Sequence, residues 1–436
     1  MFALAFGAMI GWSWVALSGH WIAGAGSLGA IAAFLLGGVA LLFVGLTYAE
    51  LASAMPRAGG EHVYSQRALG GTASFVCTWA IVLGYTSVVA FEAVALPTVL
   101  DYLLPGFARG RLWTIAGWEV KASWVLVGAV AALLMTAINI LGIRTAARLQ
   151  LLVTALVLLA GVGLVGGSLF AGQAGNLSPL FENGYGGMLG VLVMVPFMFV
   201  GFDVIPQSAE EVDMPYRDIG KVLMFSIAMA VAWYALIIGA VASGLGVAAR
   251  SASGLPTADA AAALFGGSWA GKVLVIAGIG GILTSWNAFL IGGSRAVFAM
   301  ARAGQLPAAF GRLHDRYHTP HNAILLIGAL SMVAPLFGRP ALVWLVDAGG
   351  LGIVVAYAFV ALSFIMLRLR EPGLARPYAV RHWRFVGGTA LSLSLVLAAL
   401  YLPFSPSALV WPAEWAIVGG WALLGAALLA AGRARR

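Results

Sequence analysis

Twelve stretches of this chain are long and apolar enough to cross a lipid bilayer, and they decide its architecture before any motif is considered. They lie at about 2–22, 28–54, 72–100, 122–141, 149–170, 187–207, 219–245, 271–301, 322–338, 341–366, 385–403 and 412–431. A spanning helix needs about 20 predominantly apolar residues. No water is present in hydrocarbon to pair a free N–H or C=O, so each stretch must satisfy its own backbone as a helix. Charged residues make up 9% of the chain, against about a quarter of an average soluble domain. That is too few to cover a water-facing surface. The expected fold class is all-α integral membrane with 12 transmembrane helices. The longest polar connections, 101–121, 246–270, 302–321 and 367–384, read as loops rather than domains. The first apolar run is too long for a signal peptide and carries an irregularity of its own, so no cleavage is expected there.

A net charge of +8 would suggest a nucleic-acid partner in a soluble protein, but its distribution gives another reason for it. With the amino terminus placed inside, eighteen of the 24 basic residues fall on the inner side, among them Arg57, Arg67, Arg144, Arg217, Lys221, Arg302, Arg368, Arg376 and Arg435. Arg109, Arg111, Lys121, Arg250, Lys272 and Arg339 fall outside. Such asymmetry orients a membrane protein. The expected location is the cell (inner) membrane with both termini cytoplasmic, with the lipid bilayer as partner and no nucleic acid. The single cysteine, Cys77, lies inside the third stretch, so no intrachain disulfide can form. It reads as a small packing residue.

Two stretches are interrupted at matching places in the two halves. One reads Gly7-Ala8-Met9-Ile10-Gly11-Trp12-Ser13-Trp14, the other Pro196-Phe197-Met198-Phe199-Val200-Gly201-Phe202-Asp203. Irregular backbone at membrane depth survives where it lines a cavity or is buried in protein. A pair of Gly/Pro-interrupted spans, one per half, points to the central binding site of an inverted-repeat carrier. The expected function is therefore transport of a small polar molecule. The break recurs after five helices, and an odd number of crossings sets the two units in opposite orientations. Helices 1–5 (residues 1–170) and 6–10 (residues 171–366) form the units, and residues 367–436 supply helices 11 and 12 outside the repeat.

The second stretch ends with Tyr48-Ala49-Glu50-Leu51, then Met55-Pro56-Arg57-Ala58-Gly59-Gly60-Glu61-His62-Val63-Tyr64. This resembles the ELA…PRAGGxYxY signature of the amino acid–polyamine–organocation (APC) permeases. Phe199-Val200-Gly201-Phe202-Asp203 with Glu210-Glu211-Val212-Asp213-Met214-Pro215 is similar to that family's sixth helix and the EE…NP turn after it. Ser294-Arg295-Ala296-Val297-Phe298-Ala299-Met300-Ala301-Arg302 through Leu306-Pro307 is similar to its SRxxxAxAxxGxLP motif closing helix 8. The three motifs come in the family's order and cover nearly the whole chain. The resemblance implies the LeuT-like five-plus-five inverted-repeat fold and a secondary transporter (permease) of amino acids or related amines. In one place the chain departs from the family. Where the family's first helix breaks at Gly-Ser-Gly-Ile-Phe, this chain has Gly11-Trp12-Ser13-Trp14-Val15, stiffer by one glycine and bulkier by two indoles.

At the first break a half-helix N-terminus presents N–H groups at Gly11, Trp12 and Ser13, which suit a carboxylate. The plainer role of Gly7 and Gly11 is close helix approach. In helix 6 the carbonyls freed around Phe197–Gly201 suit an ammonium, with Phe199 and Phe202 as apolar walls or a cation–π face. Met9 beside the break, Tyr85 on helix 3 (a pocket-lining position of the family) and Phe289 on helix 8 complete the expected substrate site. Asp203 is a carboxylate inside a membrane span with no basic neighbour in its own helix, which is costly unless hydrated or paired. A gating proton site, a contact to a cationic substrate and a cap of the unwound helix compete for it. Glu92, seven residues after Tyr85 on nearly the same helix face, either faces the pathway or bonds a neighbouring helix while protonated. Glu50 and Glu61, within the family signature, are expected at a gate or in the fold.

For the coupling ion, Thr284 and Ser285 lie on helix 8, and Ser285 stacks on Phe289 at i,i+4. Both hydroxyls thus sit about one turn from the cavity wall. They resemble the pair that completes the conserved sodium site of LeuT-like carriers, and hard oxygen ligands suit a small hard cation. Proton-coupled family members often carry a helix 5 lysine instead. That position falls on Val157, and residues 149–170 hold no lysine or arginine. The plain alternative is that both hydroxyls bond back to their own helix. Sodium symport is expected, with a bound sodium at Thr284 and Ser285 and no other cofactor. Proton coupling through Asp203 or Glu92, or exchange, is the alternative. A membrane enzyme would need a nucleophile–base pair or metal cluster at one depth, and the chain is not read as one. His314, His318 and His321, with Asp315, read as an orientation and lipid-contact loop, and His20 and Trp21 as interface residues. A channel would call for a repeated pore ring, and a transporter-fold sensor for an added signalling domain.

Overall fold

The computed structural model describes residues 2–142, 147–207 and 215–433. Arg144, Arg435 and the Glu210–Met214 part of the turn after helix 6 lie outside the described residues. Among the described residues, ten helical segments are long and apolar enough to cross a membrane. The two other expected spans, 2–22 and 322–338, are shorter apolar segments, each divided by its own sequence. The first is cut into α1 (Phe2–Met9), α2 (Ser13–Ala16) and α3 (Ser18–Ala25), with residues 10–12 unwound.

The chain then turns through α4 (Ser27–Ala54), a short α5 (Glu61–Leu69) and the long α6 (Gly71–Leu103). A β-hairpin follows, β1 (Arg111–Ile115) paired with β2 (Trp118–Lys121), before α7 (Ala122–Leu141) and α8 (Ala147–Ala171). The hairpin corrects the expected loop at 101–121. Its turn residues Ala116 and Gly117 both adopt left-handed φ, 47° and 78°, the geometry that matches the twist of two antiparallel strands. Trp113 Nε1 donates to the Leu336 carbonyl at 2.9 Å, tying the hairpin to the bundle.

The second interrupted span comprises α9 (Gly184–Leu192), α10 (Val195–Phe199) and α11 (Val204–Gln207), followed by α12 (Tyr216–Gly244). The expected loop 246–270 also holds structure, α13 (Val247–Ala252) and α14 (Pro256–Leu264). Proline in the first turn and an alanine run favour the latter helix. The remaining helices are α15 (Ser268–Arg302), α16 (His321–Val333), α17 (Ala341–Arg370), α18 (Trp383–Leu400) and α19 (Ala413–Arg433). Pro335 follows α16, and the chain continues as a 3-10 turn over Ala334–Phe337, which shortens the ninth span.

Helix α4 runs along α12, α6 along α15 and α17, and α8 along α15. The two halves therefore interlock instead of folding as separate bodies. On α4, Gly38 faces Val231 and Gly45 faces Ile227, where an added methyl would collide. Small residues let membrane helices approach in this way. Glu50 binds Arg368 through both carboxylate oxygens (2.7 and 2.5 Å) and accepts from the Val380 N–H at 2.7 Å, with Arg376 Nε 3.1 Å away. That clamp fastens α4 to α17 and the loop after it, so Glu50 serves the fold. Trp79 and Trp421 stack at 4.4 Å and each donates its indole N–H to the other's carbonyl, at 2.9 and 2.8 Å. Trp21 is fully buried against Phe34 and Tyr234, a core residue rather than the expected interface anchor. Cys77 is buried as expected.

Candidate substrate site

The two breaks meet at the centre of the bundle. Gly201 has φ +133°, and a Cβ there would lie 2.9 Å from Ala8 Cβ and 3.0 Å from the Met9 nitrogen. Only glycine permits both the conformation and the approach. A small cavity of about 20 Å³ lies between the breaks, lined on the α1–α2 side by Met9, Gly11, Trp12 and Ser13. Phe197 and Met198 come from α10, Glu92 from α6 and Phe289 from α15. That volume holds about one water, so the site must open to admit anything larger.

The unusual tryptophans have partners that explain them. The Trp12 ring lies over Gly278 of α15, where any side chain would occupy the same space. Trp14 Nε1 donates to the Gly11 carbonyl at 3.1 Å, pairing an acceptor the break sets free, and packs edge-on against Trp233 at 5.3 Å. Ser13, in place of a family glycine, is 2.9 Å from the Tyr234 hydroxyl, which donates to the Met9 carbonyl at 2.8 Å. Tyr234 on α12 thus braces both sides of the break. Sequence reading missed it, because 225 residues separate it from Met9.

Glu92 and Ser285 also come together here. Ser285 Oγ donates to Glu92 Oε1, and both atoms press on Gly11, whose Cβ would lie 2.9 Å from each. The second Glu92 oxygen is buried without a partner among the described residues, as is the Trp12 indole N–H. Thr284 Oγ1 donates to the Gly281 carbonyl at 3.1 Å, and Gly281 in turn packs on the Gly11 carbonyl. Oxygens of Gly11, Gly281, Thr284, Ser285 and Glu92 therefore gather at one junction of α2, α6 and α15.

With this geometry in hand, the chain matches the amino acid permease family over residues 1–423. It belongs to that family, within the APC superfamily. The branched-chain amino acid permease BcaP of Bacillus subtilis is 27% identical over 400 residues, 90% of this chain and 85% of its own. The methylthioribose transporter of the same organism is 26% identical over 388 residues, 86% of this chain and 82% of its own. Its aspartate-proton symporter is 27% identical over 419 residues, 92% of this chain and 77% of its own. The permease is an integral membrane transporter, not an enzyme.

The permease places the other expected residues around the cavity rather than on it. Phe199 packs at a tilt against Tyr234 and Phe34, at 5.5 and 6.1 Å. Phe202 packs between Tyr48 and Tyr357, at 5.3 and 5.7 Å. Tyr85 meets Phe289 from behind at 5.4 Å. Asp203 Oδ1 accepts the Gly201 N–H at 2.8 Å, which caps the unwound segment, while Oδ2 is buried without a partner among the described residues. Glu61 accepts from Gln207 Nε2, joining the family signature to α11. This aromatic and acidic layer packs the second break against α4 and α5. From the hairpin side, α14 is bonded to α2 and α3. Thr257 Oγ1 donates to the Trp14 carbonyl at 2.9 Å and meets Ser18 Oγ at 2.5 Å. The histidine loop holds itself together, with His314 Nδ1 accepting from the Arg316 and Tyr317 N–H groups at 3.2 and 3.4 Å.

Proposed function

We propose that this permease imports an amino acid or related amine by cation-coupled symport, with the substrate held between the two breaks. The observation that carries the reading is the meeting of the Gly11 and Gly201 segments at one small cavity lined by Glu92, whose carboxylate accepts from Ser285 just behind it. The substrate carboxylate is assigned to the Gly11–Ser13 amides and the Trp12 indole N–H, and its ammonium to the α10 carbonyls around Phe197–Gly201 and to Glu92. Met9, Phe197 and Phe289 wall it. Tyr85, Phe199, Gly201 and Phe202 support that wall from behind.

Sodium is assigned to the junction at Thr284 and Ser285. Each hydroxyl donates its proton to a protein acceptor, which leaves its lone pairs for a cation, and Glu92 adds a negative charge. A specific observation favours a second reading. The Glu92 carboxyl that bonds Ser285 is itself able to carry the coupling proton, and the aspartate-proton symporter of Bacillus subtilis is among the relatives. Asp203 is the other candidate for that proton.

The packing of α4 on α12, and the paired contacts of α6 with α17 and of α8 with α15, support two five-helix units, 1–170 and 171–366, with 367–436 outside. On that scheme the two short apolar segments bring the spans to 12. Cytoplasmic termini and a cell-membrane location complete the reading, and they follow from the basic residues. Uptake of a labelled amino acid and amine panel into proteoliposomes, under sodium or proton gradients applied separately, tests it. Accumulation driven by sodium supports the Thr284/Ser285 assignment, and accumulation driven by protons transfers coupling to Glu92 or Asp203. Counterflow without accumulation identifies an exchanger, and no flux of any compound refutes the reading.

A further inference from the structure

The hairpin face holds a cavity of about 220 Å³, separate from the central one, whose lining carries opposite charges. Asp101 and Arg339 both border it, yet no ion pair joins them among the described residues. Arg339 is held in place by donating Nη2 to the Gly254 carbonyl. Trp124, buried at 2% exposure, contributes an indole N–H with no partner among the described residues. Tyr102 is pinned at the wall, because its hydroxyl donates to Asp259 Oδ1 at 2.9 Å. Trp118 packs edge-on to Trp124 at 4.8 Å, and Leu255 adds an apolar surface. Asp101 Oδ1 accepts the Ala108 N–H at 3.4 Å and stays out of ion-pair reach of the guanidinium. These two leave room for a small molecule.

We propose that this cavity is a second, outer binding site for a zwitterionic amino acid. Its carboxylate pairs with the Arg339 guanidinium and the Trp124 N–H, and its ammonium with Asp101 and the faces of Trp118 and Tyr102. The identity of the ligand rests on the reading of the chain as an amino acid carrier, while the site itself rests on the lining residues. Asp101 lies nine residues beyond Glu92 on α6, about 14 Å along the helix axis. Leu255 lies two residues before Thr257, whose hydroxyl bonds α14 to the Trp14 carbonyl beside the first break. A molecule bound here thus touches the segment that leads into α14, the element bonded to the first break.

Gly254→Cys places a thiol at the rim, where a Cβ lies 3.7 Å from Arg339 Nη1, and the one native cysteine is buried. The full chain in detergent is labelled with a hydrophilic maleimide in the presence of each proteinogenic L-amino acid in turn, then of propionate and of ethylamine. At least one amino acid should slow labelling about tenfold at ten times its Kd, and the two half-ligands should not. Adding Asp101→Asn or Arg339→Gln should abolish that protection. Protection by no amino acid overturns the proposal, as does protection that survives both substitutions, which would report a movement driven from the central site. Asp101 is exposed, so its substitution leaves folding intact if the arginine variant fails. Uptake of the same panel is read separately. Uptake without protection removes the outer site, whereas protection without uptake removes the transport reading and leaves the site standing.

Discussion

Gly11→Ala tests the central cavity most directly. The added Cβ would lie 2.9 Å from Glu92 Oε1, 2.9 Å from Ser285 Oγ and 3.1 Å from Ser285 Cβ, where carbon contacts settle at about 3.5–4.0 Å. The methyl therefore drives into the bond between α6 and α15, and three atoms on two helices must retreat by several tenths of an ångström. Overpacking of this kind costs about 1–3 kcal/mol. At 1.4 kcal/mol per tenfold, half-saturation for substrate or coupling cation should rise by about 5- to 150-fold. Ser285→Ala removes one of the three contacts, so the double variant should do better than the sum of the single losses, a coupling expected of touching residues. Ser285→Ala alone should weaken cation dependence more than it lowers the melting midpoint. The assay is proteoliposome uptake with KM and cation half-saturation measured for each variant, and melting in detergent to follow the fold. A Gly11→Ala protein whose KM and cation dependence both stay within about twofold of the parent would refute the placement of Gly11 against Glu92 and Ser285.

Asp203→Asn retains an oxygen to accept the Gly201 N–H but cannot titrate. A shifted pH profile of uptake identifies a proton role, and an unmoved profile makes Asp203 a structural cap. Tyr234→Phe leaves the Met9 carbonyl and Ser13 hydroxyl without their partner, at about 1–3 kcal/mol, and should raise KM together with lowering the melting midpoint. An effect on melting alone would separate Tyr234 from the binding state. Glu50→Gln removes the carboxylate charge shared by Arg368 and the more deeply buried Arg376, and breaking such a pair costs about 3–5 kcal/mol, so the melting midpoint should fall sharply at moderate salt. Burial pushes the His62 imidazole down to about 4, below its unfolded value of about 6.5. Its stabilising contribution is therefore complete above about pH 6.5 and is lost as pH falls toward 4. His62→Gln should flatten the pH dependence of melting across that window, and parallel curves would contradict the assignment.

The spans were legible because apolarity is a local property. A run such as 28–54 must be a helix in lipid whatever surrounds it, and α4 occupies almost those residues. The breaks were legible for a similar reason, since glycine and proline mark where backbone leaves the helix, and residues 10–12 and 200–203 do. The hairpin had its own signal in the aromatic and β-branched residues of Trp113-Thr114-Ile115 before the Ala116-Gly117 turn, which hydropathy alone does not reveal. Other features required the folded chain. Which face of helix 6 meets the cavity depends on how α10 rotates against α6 and α4, so Phe197 lines the site while Phe199 and Phe202 face away from it. The bond between Glu92 and Ser285 spans 193 residues, and the brace from Tyr234 to Met9 spans 225. No periodicity within either segment encodes such a pair, because each is created by two helices docking. The sequence by itself determined a helical membrane carrier with two breaks. Tertiary structure alone decided that the breaks touch, which carboxylate sits between them, and that Asp101 and Arg339 share a cavity on the hairpin face. Those facts depend on the relative placement of helices, which interhelical packing sets and local composition does not.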